Sequence, residues 1–134
     1  MGYVSVRDRQ GNKYFVLFKD MCTQYRTVYR MKLKSDIVDI WRQFIADHQF
    51  QNVAGTMSCS IKYLVTDADQ SYVAGQVREA NTRHLIGKYT LSPYNHQANP
   101  SESEMRRVME GAVSMLYDSG LPPSFLLDAL HCHV

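Results

Sequence analysis

Between Lys13 and Ile45 the apolar rhythm changes once, from a period of two to a period near 3.6. That change rules out a purely helical or purely β architecture. KYFVLFKD (Lys13–Asp20) is aromatic and β-branched and reads as a strand, with RDRQGNK before it as a turn tipped by Gln-Gly-Asn. TVYRMKLK (Thr27–Lys34) alternates strictly. Tyr29, Met31 and Leu33 point one way and Arg30, Lys32 and Lys34 the other, as in a half-exposed strand whose lysines discourage edge pairing. Ser35 then caps a helix with Asp36 and Asp39 in its first turn, and Ile37, Val38, Ile40, Trp41, Phe44 and Ile45 make one core stripe.

The alternation continues downstream. SIKYLVTD (Ser60–Asp67) reads as a central strand buried on both faces, because Tyr63, Leu64 and Val65 are nearly continuous. Residues 71–84 read as a helix, IGKYTLSP (Ile86–Pro93) as a short strand and YNHQANP as a polar loop. From Ser101 a capping box to Glu104 opens a long helix, with Met105, Val108, Met109, Ala112, Val113 and Leu116 facing the core. Gly120 stops it, and Pro122-Pro123 open a last helix through Phe125, Leu126 and Leu130. Upstream, YVSV (Tyr3–Val6) is a candidate strand. The 134 residues fit one domain, 1–134, with a mixed α/β sheet flanked by helices.

Charge is uneven although the net is only +2. Residues 1–34 carry eight Lys/Arg against Asp8 and Asp20, while residues 35–134 carry seven against eleven carboxylates. A basic first third reads first as an ordinary solvated strand face and second as a surface for phosphate. Cys22, Cys59 and Cys132 are odd in number and far apart, which points to reduced thiols in the nucleus or cytoplasm. No apolar run has the ~20 residues of a membrane span, and no secretory leader is expected. In MGYVSV the sixth residue, Val6, does not suit myristoylation. His131, Cys132 and His133 match no zinc spacing and read as helix residues, Cys22 has no neighbouring base in sequence, and no glycine-rich phosphate loop is present.

Three stretches together resemble the catalytic core of copia-type retrotransposon integrases. They are GNKYFVLFKDMCTQYRTVYRMKLKSDIVDIWRQF, LVTDADQSYV, and SPYNHQANPSESEMRRVMEGAVSMLYDSGLPPSFLLDAL, in the family's order and spacing. The resemblance implies a ribonuclease H-like fold in which two Asp and one Glu hold two divalent metals for phosphodiester transfer. Two cations ~3.5–4 Å apart need such concentrated negative charge, and Mg²⁺ takes oxygen ligands. By that resemblance the second Asp falls on Asp67, whose neighbours Ala68 and Asp69 replace the usual Asn and Gly. The Glu falls on Ser103, and Glu104 replaces the family's Arg, inverting the charge there.

The flanking acids Glu102 and Glu104 point ~100° away from residue 103 on a helix. The first Asp belongs to an Asp-x-x-Gly-Pro setting that this chain lacks; Asp8 lies too close to the turn, and Ser5 or Tyr3 would take its face if YVSV is that strand, missing its acid or shortened. Arg106 and Arg107 share the face of Ser103, and Arg107 matches the family's second Arg.

The expectation is therefore a catalytically inactive, domesticated integrase-like domain with no metal site and no cofactor. Its partners would be another protein or a second copy in a homodimer. Nucleic acid would be contacted, if at all, through Arg30, Lys32, Lys34, Arg106 and Arg107. The rival expectations are an active integrase core whose first Asp lies outside this sequence, and a nucleic-acid-binding domain using the basic early strands.

Overall fold

The structure, a computed structural model, describes residues 1–48, 50–51, 57–59, 61–66, 74–90 and 100–134. In chain order the elements are β1 (Gly2–Tyr3), β2 (Tyr14–Lys19), β3 (Arg26–Met31), α1 (Ile37–His48), β4 (Phe50–Gln51), β5 (Met57–Cys59), β6 (Tyr63–Thr66), α2 (Ala74–Arg83), β7 (Gly87–Thr90), α3 (Pro100–Ser119) and α4 (Leu126–His133). Single 3₁₀ turns occupy Lys34–Asp36 and Pro123–Phe125. The chain divides into two compact units, residues 1–36 with 100–134, and residues 37–99.

In the first unit β1, β2 and β3 form an antiparallel sheet in that order. Gly2 faces Phe15, and β2 meets β3 from Tyr14↔Met31 to Lys19↔Arg26. Strand alternation puts Phe15, Leu17 and Lys19 on one face with Arg26, Val28 and Arg30. The apolar middle of that face joins Val4, Val108, Ala112, Leu127, Ala129 and Leu130 in one core. α3 therefore turns the i, i+4, i+8 row of Glu104, Val108 and Ala112 inward. Gly120, at φ +66°, ends α3 in the left-handed conformation that glycine adopts without steric cost.

Several expectations change here. The first strand is shortened to Gly2–Tyr3, although Val4 is buried and its N–H still reaches the Lys13 carbonyl. β3 stops at Met31 rather than Lys34. The Asp36 carboxylate accepts the N–H groups of Lys32 and Leu33 at 3.1 and 2.9 Å, diverting the donors a longer strand would use. Leu33 is consequently 62% exposed instead of facing inward, and Ser35 lies inside the 3₁₀ turn. Val113 is exposed too, lying just off the core row of α3.

In the second unit Val38, Trp41 and Ile45 are the buried row of α1, as the period of its sequence predicts. Trp41 Nε1 donates to Asn81 Oδ1 at 2.7 Å and ties α1 to α2. β6 and β7 pair in parallel, Tyr63↔Gly87 through Thr66↔Thr90, with α2 lying between them in sequence, as a βαβ crossover requires. The expectation that Ser60–Asp67 is buried on both faces does not hold. Tyr63 is 61% and Val65 43% exposed, and among the described residues β6 pairs only with β7. Three consecutive apolar residues are too few to tell a two-sided strand from a one-sided one. Among the described residues the strands form three ladders, β1–β2–β3, β4–β5 and β6–β7.

Candidate functional site

The first turn of α3 carries Glu102, Ser103 and Glu104, and the helix sends them three ways. Glu102 is exposed, with Arg106 one turn on at 4.0 Å. Ser103 is exposed on the surface of the helix. Glu104 points into the first unit, with only 3% of the residue exposed. The expected capping box is not formed as read: α3 already begins at Pro100, and the Glu104 carboxylate is committed to two cations on the sheet.

Those cations follow from the register of β2 and β3. Lys19 and Arg26 are direct cross-strand partners on the face toward α3, a like-charge pairing that costs stability unless a carboxylate intervenes. Glu104 intervenes. Oε2 accepts from Lys19 Nζ at 2.8 Å, and Oε1 meets Arg26 Nη2 at 2.6 Å. The hydrogen bond from Lys19 lowers the Glu104 pKa; burial pushes it up, and the charges of Arg26, Lys19 and Arg107 bring it down again, leaving it below its ordinary value. The buried carboxylate of Glu104 is thus matched by cations on facing strands.

The other end of the same sheet face holds a second network. Arg30 meets Asp128 at 2.9 Å and Asp8 at 3.6 Å, while Arg9 meets Asp128 at 3.5 Å and lies over the Phe125 ring at 4.3 Å. Asp8 Oδ1 accepts the N–H groups of Gln10 at 2.9 Å and Asn12 at 2.7 Å, and Oδ2 accepts Asn12 Nδ2 at 2.9 Å. Burial alone would raise the Asp8 pKa, but these hydrogen bonds and Arg30 outweigh it and hold it low. A carboxylate saturated in this way organises the turn around Gly11 (φ +84°) and has little lone-pair capacity for a metal.

Of the residues singled out in sequence, Asp67 and Asp69 lie outside the described residues. Arg30 is ion-paired toward α4, while Lys32, Lys34, Arg106 and Arg107 are exposed. His131, Cys132 and His133 all lie in or at the end of α4. The His133 ring sits where a Cβ on Gly111 would be, 2.1 Å from Nε2, so it helps to set the close approach of α3 and α4. Sequence reasoning missed Lys19 and Arg26 as partners of Glu104, which is 85 residues from Lys19. The signal in the sequence was the resemblance, by which Glu104 stands where the integrases carry Arg.

No protein-family model matches the chain. It is 27% identical over 116 residues to the retrovirus-related Pol polyprotein from transposon RE2 of Arabidopsis thaliana, an alignment covering 84% of this chain. It is 28% identical over 130 residues, 96% of the chain, to the Pol polyprotein from transposon TNT 1-94 of Nicotiana tabacum. The chain spans only 7% and 9% of the length of these relatives. Among solved structures, it superposes with TM-score 0.63 on a chain of the simian T-cell lymphotropic virus intasome in complex with the PP2A regulatory subunit B56 gamma. That alignment has 18% identity and covers 93% of this chain and 43% of the other. The fold is therefore the integrase-like, ribonuclease H-like α/β class, and the sequence is similar to segments of transposon Pol polyproteins.

Proposed function

We propose that this is a transposon-derived, domesticated integrase-like domain that no longer performs metal-dependent strand transfer and acts by binding a protein partner or a second copy of itself. The observation that carries this reading is the first turn of α3. A neutral serine occupies the position of the family's Glu, and neither neighbouring acid replaces it: Glu104 is buried against Lys19 and Arg26, and Glu102 lies toward Arg106. A serine hydroxyl is a neutral, weak ligand and does not supply the charge that retains a second Mg²⁺. The saturated oxygens of Asp8 favour the same reading. In the cell the domain works in the nucleus or cytoplasm, in keeping with free, exposed Cys22 and Cys132.

Calorimetric titration with Mg²⁺ and Mn²⁺ tests the loss of the metal site. The expected result is weak binding in the wild type and no second site created by Ser103→Glu alone. Tight binding of two ions by the wild type would refute the reading. A second reading, a nucleic-acid-binding domain, is favoured by the charge of the first unit. Residues 1–36 and 100–134 hold ten Lys/Arg against eight carboxylates, and two of those acids, Asp8 and Glu104, are buried in ion pairs.

A further inference from the structure

The sequence neighbours of the Trp41–Asn81 pair line a cleft between α1 and α2 in the second unit. Arg42 on α1 and Glu79, Ala80, Arg83 and His84 at the end of α2 border an open space of about 230 Å³. The 2.7 Å bond from Trp41 to Asn81 is buried, so the two walls are fixed before any ligand arrives. Arg83 and His84 alone would read as residues suited to the carbonyl end of α2. Arg42 comes from the middle of α1 and serves no helix end. Arg42 Nη1 meets Asp39 Oδ1 at 3.3 Å, and Arg83 Nη2 meets Glu79 Oε1 at 2.9 Å. Each contact engages one nitrogen of its guanidinium fork, and all four side chains are more than half exposed. Exposed pairs of this kind are worth little, so an incoming carboxylate replaces one at small cost. The next residue, Leu85, is 91% exposed in the left-handed conformation at φ +55°. Exposure and strain both cost stability in the isolated protein, and a partner that covers Leu85 recovers the first.

We propose that the α1–α2 cleft and Leu85 form a docking site for an acidic peptide segment of a partner protein, one that carries an apolar residue beside its carboxylate. The carboxylate takes the unused sides of the Arg42 and Arg83 forks, whose planar geometry suits paired oxygens. The apolar residue covers Leu85. Size and charge select this occupant. The volume is below the ~300–1,000 Å³ of a pocket for a drug-sized molecule, and it fits one or two side chains. Asp39 and Glu79 offset the two arginines, so a polyanion such as a nucleic-acid backbone finds no surplus of positive charge there. A single carboxylate needs only a few donors. The site rests on the reading of the domain as a protein-binding module but not on the loss of strand transfer, so peptide binding can fail while metal binding stays weak, and the reverse.

The test follows the His84 and Leu85 amide resonances of the whole chain at ~0.15 M salt, where attraction between distant charges is screened. The probe is the end-capped peptide Leu-Glu-Asp-Leu, with Leu-Gln-Asn-Leu as the uncharged control. The expected result is a saturable shift with the first and none with the second. Arg42→Gln and Arg83→Gln each weaken binding about tenfold by removing a charge-assisted contact. Leu85→Gly weakens it about threefold while raising Tm, a combination that loss of folding does not produce. Arg78→Gln, exposed on α2 but outside the cleft, binds as the wild type does. The proposal is overturned if no saturable shift appears, if the control peptide binds equally well, or if Arg78→Gln weakens binding as much as Arg83→Gln. Shifts on protein dilution alone, which would assign the cleft to a second copy, or shifts saturated by a short oligonucleotide and not by the peptide, overturn it too.

Discussion

Replacing Glu104 by alanine leaves Lys19 and Arg26 facing each other across the last rung of β2 and β3 with nothing between them. Breaking a buried pair from one side costs about 3–5 kcal/mol, and the partial exposure of both cations puts the expected loss near the lower end. Urea unfolding of Glu104→Ala should show it. The pH dependence has a definite sign. Because folding lowers the Glu104 pKa, its contribution is complete above the ordinary value of 4.5 and is lost as pH falls through the lower folded value. The Tm gap between wild type and Glu104→Gln should stay constant near neutrality and close below about pH 4. Leu85 predicts the opposite effect. It is 91% exposed at φ +55° and closes α2, with Leu85 N–H on Thr82 and Ile86 N–H on Asn81. Leu85→Gly removes the left-handed cost and should raise stability by about 1 kcal/mol in the same assay. Sequence placed an acid at residue 104 but did not show where its carboxylate would go, because helix direction and strand register together decide that.

β1 is two residues long and depends on a glycine. A Cβ at Gly2 would lie 2.2 Å from Phe15 Cζ, and Phe15 is fully buried. Gly2→Ala should therefore unpair β1 and cost about 1–3 kcal/mol, seen as lost amide protection at Tyr3 without loss of protection in β3. The first long helix was legible because it carries a regular apolar row; Val38, Trp41 and Ile45 are buried where the period placed them. β6 was not legible. Its apolar residues pointed to two-sided burial, yet Tyr63 and Val65 face outward and Tyr63 instead covers Gly87 on the paired strand. The end of β3 escaped for a different reason, since Asp36 captured its last N–H groups through a local side-chain bond that alternation cannot reveal.

For the whole molecule, the resemblance read from three stretches agrees with the transposon Pol polyproteins and the intasome fold. The pairing of Glu104 with Lys19 and Arg26 was not legible, because it required the folded sheet. Exposed Met115, Tyr117 and Leu121 on and after α3 provide surface for self-association. Light scattering should give a dimer mass, and a monomer at every workable concentration would count against that expectation. The central claim is the loss of strand transfer, and a Mn²⁺-supported nicking and strand-transfer assay comparing wild type with Asp67→Asn tests it most directly. The account predicts no product above the protein-free blank from either protein. Cleavage by the wild type that disappears in Asp67→Asn would contradict it.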